Sequence, residues 1–280
     1  MTMHTDIMAQ LELEGAFAPV TTESIRLLSG PTIPGRKAII DAKGSILGVV
    51  SSNYRVVQTQ EVLENFTKSV VNSGLDLEGL QVSHSVKGAR SATSFIFPKH
   101  VVETKLGDST QLRIVARNSH DGSWLLRADV GGFRIACANG QVHGDFLNAF
   151  KSRHTSGLDF ANIDGGLHTS LDMFASIGQT WLKYRGVKIS KEQAMKAILQ
   201  YFHRELKEGE VLEELMTRKS QRSDLYETFN KYSDEMGSNV LALYNAMTDH
   251  ATHRTKSIDG ELARGKIASD IAHAVYAELA

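Results

Sequence analysis

The stretch from Gln111 to Asn139 constrains the fold more than any other part of the chain. Leu112, Ile114 and Ala116 alternate with Arg113, Val115 and Arg117, up to the turn-forming run Asn118-Ser119-His120-Asp121-Gly122. Trp124 and Leu126 then alternate with Ser123, Leu125 and Arg127, and beyond Val130-Gly131-Gly132 the residues Phe133, Ile135 and Cys137 alternate with Arg134. A period of two marks strands with one buried face, and Gly-rich breaks between them make an antiparallel meander. With the apolar residues on one face, a loop pairing 117 with 123 sets Arg113 opposite Arg127. A turn at Val130-Gly131 sets Arg127 opposite Arg134. The other face then carries Arg113, Arg127 and Arg134 in a row, with Arg117 further along. Slipping the turn to Gly131-Gly132 keeps Arg127 and Arg134 on one face but diagonal.

Like charges directly opposite on a sheet repel, so such a row needs an explanation. Carboxylates from the helical part of the chain, or plain solvation, would provide one. A phosphate backbone would provide another, because a guanidinium matches phosphate oxygens with paired hydrogen bonds. Val115 and Leu125 on the same face could support bases, although the face has no aromatic stacking platform. Lys151 and Arg153, with His154, extend the basic character just past the sheet, or form a solvated linker.

The rest of the chain divides into three zones. Residues 1–53 read as an arm with short strands at Lys37–Ile40 and Ile46–Val50, and an irregular Ser29–Gly35 loop marked by Gly and Pro. Residues 54–165 read as a sheet-and-helix core. Its parts are a short strand Tyr54-Arg55-Val56-Val57, a helix N-capped by Thr59 and ended at Gly74, a strand Leu80–Val86, and a return strand Ser91–Phe97 closed by Pro98. Residues 166–280 read as helices. One carries the stripe Leu171, Phe174, Ile177, Trp181 and Tyr184; a second has a Ser190/Gln193 capping box; a third is capped by Ser238; the last has Ile267, Ile271, Ala274 and Val275 on one face. The expected class is α+β: an antiparallel β-meander with a packed helix (a β-α-βββ core), followed by a helical C-terminal region.

Composition excludes several classes. The formal net charge is −1, so any polyanion must be met by a few cations gathered on one surface. The single cysteine, Cys137, excludes an intramolecular disulfide framework. No apolar run reaches the roughly 18 residues of a membrane span, and the N-terminus does not read as a signal peptide, so a cytoplasmic location is expected.

Chemistry-bearing motifs are sparse. His120-Asp121 could be a base with its orienting carboxylate or part of a metal site, yet Asp121-Gly122 also suits a simple turn, with Asn118 and Asp121 bonding their own backbone. His250 and His253, beside Asp249, have a helical spacing that can bind a metal; a solvated helix end explains them as well. Cys137 falls on the apolar face as a small core residue. Gly131-Gly132 and Gly165-Gly166 lack the spacing of phosphate-binding loops. Glu205, Glu208, Glu210, Glu213 and Glu214 could form an acidic patch for a protein partner.

Tyr54-Arg55-Val56-Val57, Asn118-Ser119-His120-Asp121-Gly122-Ser123, Cys137-Ala138-Asn139-Gly140 and Leu243-Tyr244-Asn245-Ala246-Met247-Thr248, in that order, resemble the phage/plasmid-like family of unknown function numbered nine-three-two in its series. The resemblance runs from about Tyr54 to the C-terminus; it implies a phage, plasmid or prokaryotic source and no activity. The order strand, helix, meander, helix is also similar, at fold level alone, to the Rad-fifty-two/RecT/Erf group of single-strand annealing proteins. That similarity implies ATP-independent binding of single-stranded DNA by a homo-oligomeric ring or filament. The function expected on these grounds is non-covalent strand annealing in phage or plasmid recombination, without a cofactor. Arg113, Arg117, Arg127, Arg134, Lys151 and Arg153 would hold phosphates. The rivals are a protein-interaction module acting on a host factor, and a metal-dependent hydrolase or nuclease using His120 and Asp121.

Overall fold

The computed structural model describes residues 3–105, 108–134, 142–254 and 258–280. The fold is α+β with two antiparallel sheets and a helical C-terminal region. The chain divides into two compact units, one of residues 1–100, 112–130 and 147–172, the other of residues 101–111, 131–146 and 173–280.

The first unit opens with helix α1 (Met3–Leu13), which leads into the sheet β1 (Val20–Arg26), β2 (Thr32–Asp41) and β3 (Ile46–Ser51), paired in that order. Val20, Ile39 and Val50 form its buried apolar centre, with Leu47, Tyr54 and Val56 packed against it. The Gly/Pro signal before residue 36 marks an outward bulge rather than a separate loop. Arg26 pairs with Thr32 and Ser24 with Lys37, so Ile33-Pro34-Gly35 loop out of the ladder within β2. Residues 54–57, expected as a strand, join no ladder.

Helix α2 (Thr59–Asn72) buries Val62, Leu63, Phe66 and Val70 as its spacing predicts. Its N-cap is Gln58, not Thr59, and Gln58 does not cap with its side chain. The Gln58 amide instead accepts from Val20 N and donates to Val20 O. The second sheet has the order β4 (Gln81–Lys87), β5 (Arg90–Lys105), β6 (Asp108–Ser119), β7 (Leu126–Arg134), β8 (Val142–Ser152). Its first edge is blunted by α1: Gln10 donates to Val82 O and Glu14 accepts from His84 N, occupying main-chain groups of β4. On the helix-covered face Phe66 of α2 meets Phe95 of β5, ring centroids 5.1 Å apart.

Two expected strand ends are absent. Pro98 does not close β5. The ladder with β4 ends at Gln81↔Ile96, so on that side Pro98 has no partner strand that would need its missing N–H. Nor do Val130-Gly131-Gly132 make a turn: β7 runs from Leu126 through Arg134. Gly132 is glycine for packing, because a Cβ there would stand 2.5 Å from both the Trp181 ring and the Thr110 methyl, all within the second unit. Ile135, Cys137 and Asn139 lie outside the described residues. Helix α3 (Asn162–His168) packs on α2.

The second unit is mainly helical: most of α4 (Ser170–Gly186), then α5 (Lys191–Tyr201), α6 (Leu212–Thr217), α7 (Gln221–Met236), α8 (Val240–Arg254) and α9 (Ile258–Leu279). The α4 stripe Phe174, Ile177, Trp181 and Tyr184 is buried, and the Ser190/Gln193 capping box forms. Helix α8 is buried on all sides from Val240 to Thr248, and α5, α7 and α9 pack around it. Its N-terminus is held by Asn239, whose Oδ1 accepts from Ala242 N; Ser238, the expected cap, donates to Ile189 O instead. On α9 the buried positions are Ala268 and Ala272 rather than Ile267 and Ile271, a stripe shifted by one residue that lets α9 approach α8 through small side chains.

Candidate nucleic-acid interface and the His120 cavity

Arg113 of β6 donates through Nε to Ser94 Oγ, 2.7 Å away on β5. Ser94 and Phe95 point to opposite faces, so Arg113 lies on the face turned away from α2. Arg117, four residues along β6, is 5% exposed and faces Asp129 Oδ2 at 3.2 Å, an ion pair without the alignment of a hydrogen bond. Arg127 donates through Nε to Asp129 Oδ1 at 2.9 Å. Arg113, Arg117 and Arg127 thus share one face of the sheet, as the alternation implies.

Two parts of the expected row are overturned. Arg127 and Arg134 belong to the same strand and cannot stand opposite each other; the Arg134 side chain is outside the described residues. The row also has internal counter-charge. Asp129, with no exposed surface, is clamped between Arg117 and Arg127. The carboxylate comes from β7 itself, not from the helical zone. The alternation already puts Asp129 on the face of Arg127, two residues along, but pairing 117 with 123 sets position 129 opposite 111, away from Arg117. Buried charges persist when paired, so Arg117 is an interior cation. Lys151 in β8 and Arg153 just after it are exposed, while Phe150 and His154 in the same stretch are buried.

The Asn118–Ser123 run lies at the end of β6, held from several sides within the first unit. His120 N donates to Ala89 O at 2.8 Å, and Tyr54 donates its hydroxyl to Ser119 O at 2.8 Å. Asp121 Oδ1 accepts from Ser123 N and Oγ, which makes the expected Asx-type turn. Burial works to raise the Asp121 carboxyl, but hydrogen bonds from Ser123 and Ser119 and the charge of Arg90 together outweigh it and hold it below the usual carboxylate range. Arg90 donates to Ser123 Oγ, stands 3.9 Å from Asp121 and lies over the Trp124 ring. Gly48 of β3 backs the turn so closely that a Cβ would meet Asp121 Cα at 2.8 Å.

The turn projects His120 inward. It is 7% exposed, its Nε2 is 3.3 Å from Thr59 Oγ1 on the first turn of α2, and its Nδ1 has no hydrogen-bond partner among the described residues. Burial first, then the nearby His154, pushes the imidazole down to about 4, so it is neutral at physiological pH. His154 is buried and stacked on Tyr54, ring centroids 5.0 Å apart, with both ring nitrogens unpartnered among the described residues. Asn118, expected to bond its own backbone, is instead buried with its amide unpartnered among the described residues. Thr59 and His120 line a cavity of about 350 Å³, together with Arg90 and Lys43.

Asp121 is engaged inside its turn and does not orient His120. Among the described residues no three His, Cys, Asp or Glu side chains are grouped to hold a metal. His250 and His253 line one cavity with Asp249 but take different partners: His250 meets the Tyr201 hydroxyl at 3.3 Å, and His253 stands 3.7 Å from Asp249. Of the acidic stretch, Glu205, Glu208, Glu213 and Glu214 are exposed, and Glu210 is held by Arg204. Among the described residues no helix is long and apolar enough to cross a membrane. Sequence reasoning passed over Asp129, Arg90 and the role of His154; the Phe150, Ser152, His154 alternation at the end of β8 was the available signal for the last.

A family model described as a domain of unknown function, DUF932, matches residues 46–273. No curated protein and no solved structure matches the chain. The match runs from β3 through the whole second sheet, the His120 turn and nearly all of the helical region, and the chain belongs to this family.

Proposed function

We propose that the chain binds single-stranded DNA and promotes annealing as a homo-oligomer, without covalent chemistry or cofactor, in the cytoplasm of a phage- or plasmid-bearing cell. One observation carries the reading. Lys151 in β8, the strand next to the arginine-bearing β7, and Arg153 just after it are both exposed, with no ion pair to a described residue. Arg127, with a third of its side chain exposed, adds a partly screened cation. Arg113 contributes from its half-buried position, whereas Arg117 serves the interior. A few such contacts are weak singly; an oligomer multiplies them along one strand through effective concentration.

The test is fluorescence anisotropy with a labelled single-stranded oligonucleotide across a salt series, beside light scattering for assembly. If Lys151, Arg153 and Arg127 each neutralise one phosphate, log K falls with log salt at a slope of about −2, at about 0.7 per phosphate. Lys151→Ala with Arg153→Ala should reduce that slope by about 1.4 and weaken binding equally across sequences. Unchanged affinity and slope in the folded double variant would refute the reading.

A further inference from the structure

We propose that the tip of the β1–β2 hairpin docks into the cavity lined by Val20, Leu47 and Val86 on a second copy of this chain, joining copies head to tail. The proposal rests on the homo-oligomer part of the reading above and names its contact. No residue from Thr21 to Lys37 is buried. Strand β3 pairs only with Arg36–Ile40 of β2, so the outer hairpin is a two-stranded ribbon. It turns at Leu27–Gly30, where Gly30 N donates to Leu27 O at 2.9 Å. Leu28, at the first central position of that turn, is fully exposed, and Leu27 is half exposed. Turns favour Pro, Asp, Asn or Gly for backbone reasons, and none of these reasons calls for a leucine at the most exposed point. Ribbons of two strands are marginal in water by themselves, and this one ends in apolar surface that a partner would cover.

The cavity fits such a tip. At about 350 Å³ it has room for a pair of leucine side chains, and Ala16, Pro19, Val20, Leu47, Val86 and Ala89 give it mainly apolar walls. The charges around the two surfaces are complementary. Between Thr21 and Ile40 the hairpin carries Arg26, Arg36 and Lys37 against one acid, Glu23. Arg26, next to the tip, and Arg36, after the bulge, are exposed with no ion pair to a described residue. Glu14 and Asp41 line the cavity, likewise without an ion pair to a described residue. Main-chain donors hold both in place: Glu14 accepts from His84, and Asp41 from Lys43 and Ser45. Of the cations lining the cavity, Arg90 stands 3.9 Å from Asp121, which leaves Lys43 set against two carboxylates. The tip cannot fill the cavity of its own chain. Val20 and Asp41, paired at the base of the hairpin, line that cavity, and the run of β1 from Val20 to Arg26 sets the tip about 20 Å away. The occupant therefore comes from another copy. A contact between two different surfaces repeats from copy to copy, closing into a ring or growing into a filament.

The experiment is size-exclusion chromatography with light scattering on the full chain, with and without a single-stranded oligonucleotide. It compares wild type, Leu28→Asp at the tip, Val86→Asp at the cavity wall, and an equal mixture of the two variants. Both substitutions lie at exposed positions, and Leu28→Ser, which a turn accepts readily, repeats the tip test without a new charge. Wild type should assemble beyond a dimer, and each variant alone should run as a monomer. The mixture should yield a dimer and nothing larger, because the intact tip of Val86→Asp enters the intact cavity of Leu28→Asp and growth stops there. That recovery also shows that both variants fold. An assembled wild type whose variants keep its mass, or whose mixed variants stay monomeric, overturns the contact and leaves the homo-oligomer reading standing. Wild type that is monomeric under both conditions overturns the homo-oligomer reading and this contact with it.

Discussion

Asp129→Asn is the sharpest perturbation of the sheet. The carboxylate has no exposed surface, faces the 95%-buried Arg117 through one oxygen and accepts from Arg127 through the other. Asparagine keeps the shape and can still accept from Arg127, but it leaves Arg117 buried against a dipole instead of a charge. Breaking a buried pair from one side costs about 3–5 kcal/mol, and the Arg117 contact lacks full hydrogen-bond alignment, so the lower end, about 3 kcal/mol, is expected. Arg127, a third exposed, is screened by solvent, so Arg127→Met should cost about 1 kcal/mol or less. Replacing both members of a buried pair by groups of similar shape can be near neutral, so Arg117→Met should recover much of the Asp129→Asn loss. Trp124 lies in the first unit and Trp181 in the second, so urea titrations followed by fluorescence in a Trp181→Phe background report the first unit by itself. In a thermal melt followed by the same fluorescence, at about 2–4 °C per kcal/mol, Asp129→Asn lowers the midpoint by about 6–12 °C. The clamp is refuted if Asp129→Asn stays within about 0.5 kcal/mol of the parent, if Arg127→Met costs as much, or if the Arg117→Met double variant recovers nothing.

Acidification should destabilise both units. Burial lowers His120 in the first and His250 in the second from 6.5 to about 4, and lowers His154 and His84 in the same direction. Above pH 6.5 neither state binds the extra protons. Between 6.5 and 4 the unfolded state binds more, so stability falls by up to about 1.4 kcal/mol per pH unit for each histidine. Urea midpoints that are level from pH 7.5 to 5 would contradict the buried neutral rings. Gly132→Ala should cost about 1–3 kcal/mol by forcing Trp181 or Thr110 aside, read as a lower thermal midpoint by near-ultraviolet dichroism; an unchanged midpoint would restore Gly131-Gly132 to a turn.

Long periodic elements were legible and short punctuation was not. The α2 face, the α4 stripe and the Ser190 box follow from local spacing, because a helix repeats the same demand every turn. Glycine and proline misled wherever a tertiary contact set their role. Gly132 makes room for Trp181, and Pro98 sits where the β4 ladder has already ended. The α1 helix and β1 carry too few apolar residues at regular spacing to stand out; they are fixed by what they cover, the edge of β4 and the flank of β2. For the site, alternation put Arg113, Arg117 and Arg127 on one face, which two partner contacts on that face bear out. It could not reveal the Asp129–Arg117 pair, because pairing 117 with 123 sets position 129 opposite 111, whereas β6 runs to Ser119 and β7 starts at Leu126, a register that brings Asp129 to Arg117.

The same accounting separates the two candidate sites in kind. In the arginine face, Asp129 answers two of the guanidiniums from within the fold, so that face is partly explained by its own stability. The Asn118–Ser123 run divides differently. Ser119, Asp121 and Ser123 spend their side chains on the turn, and Gly122, with a φ of 73°, supplies the left-handed residue it requires. A turn asks nothing of positions 118 and 120 beyond small or apolar side chains facing the interior. Those two positions instead carry an amide and an imidazole nitrogen without a hydrogen-bond partner among the described residues, each buried donor or acceptor costing about 1–3 kcal/mol when unmatched. His154 adds a second imidazole near the first, unpartnered among the described residues. A fold optimised only to hold the turn would replace all three with apolar residues and gain stability. Their presence marks positions 118, 120 and 154 as buried polar groups that the turn alone does not explain.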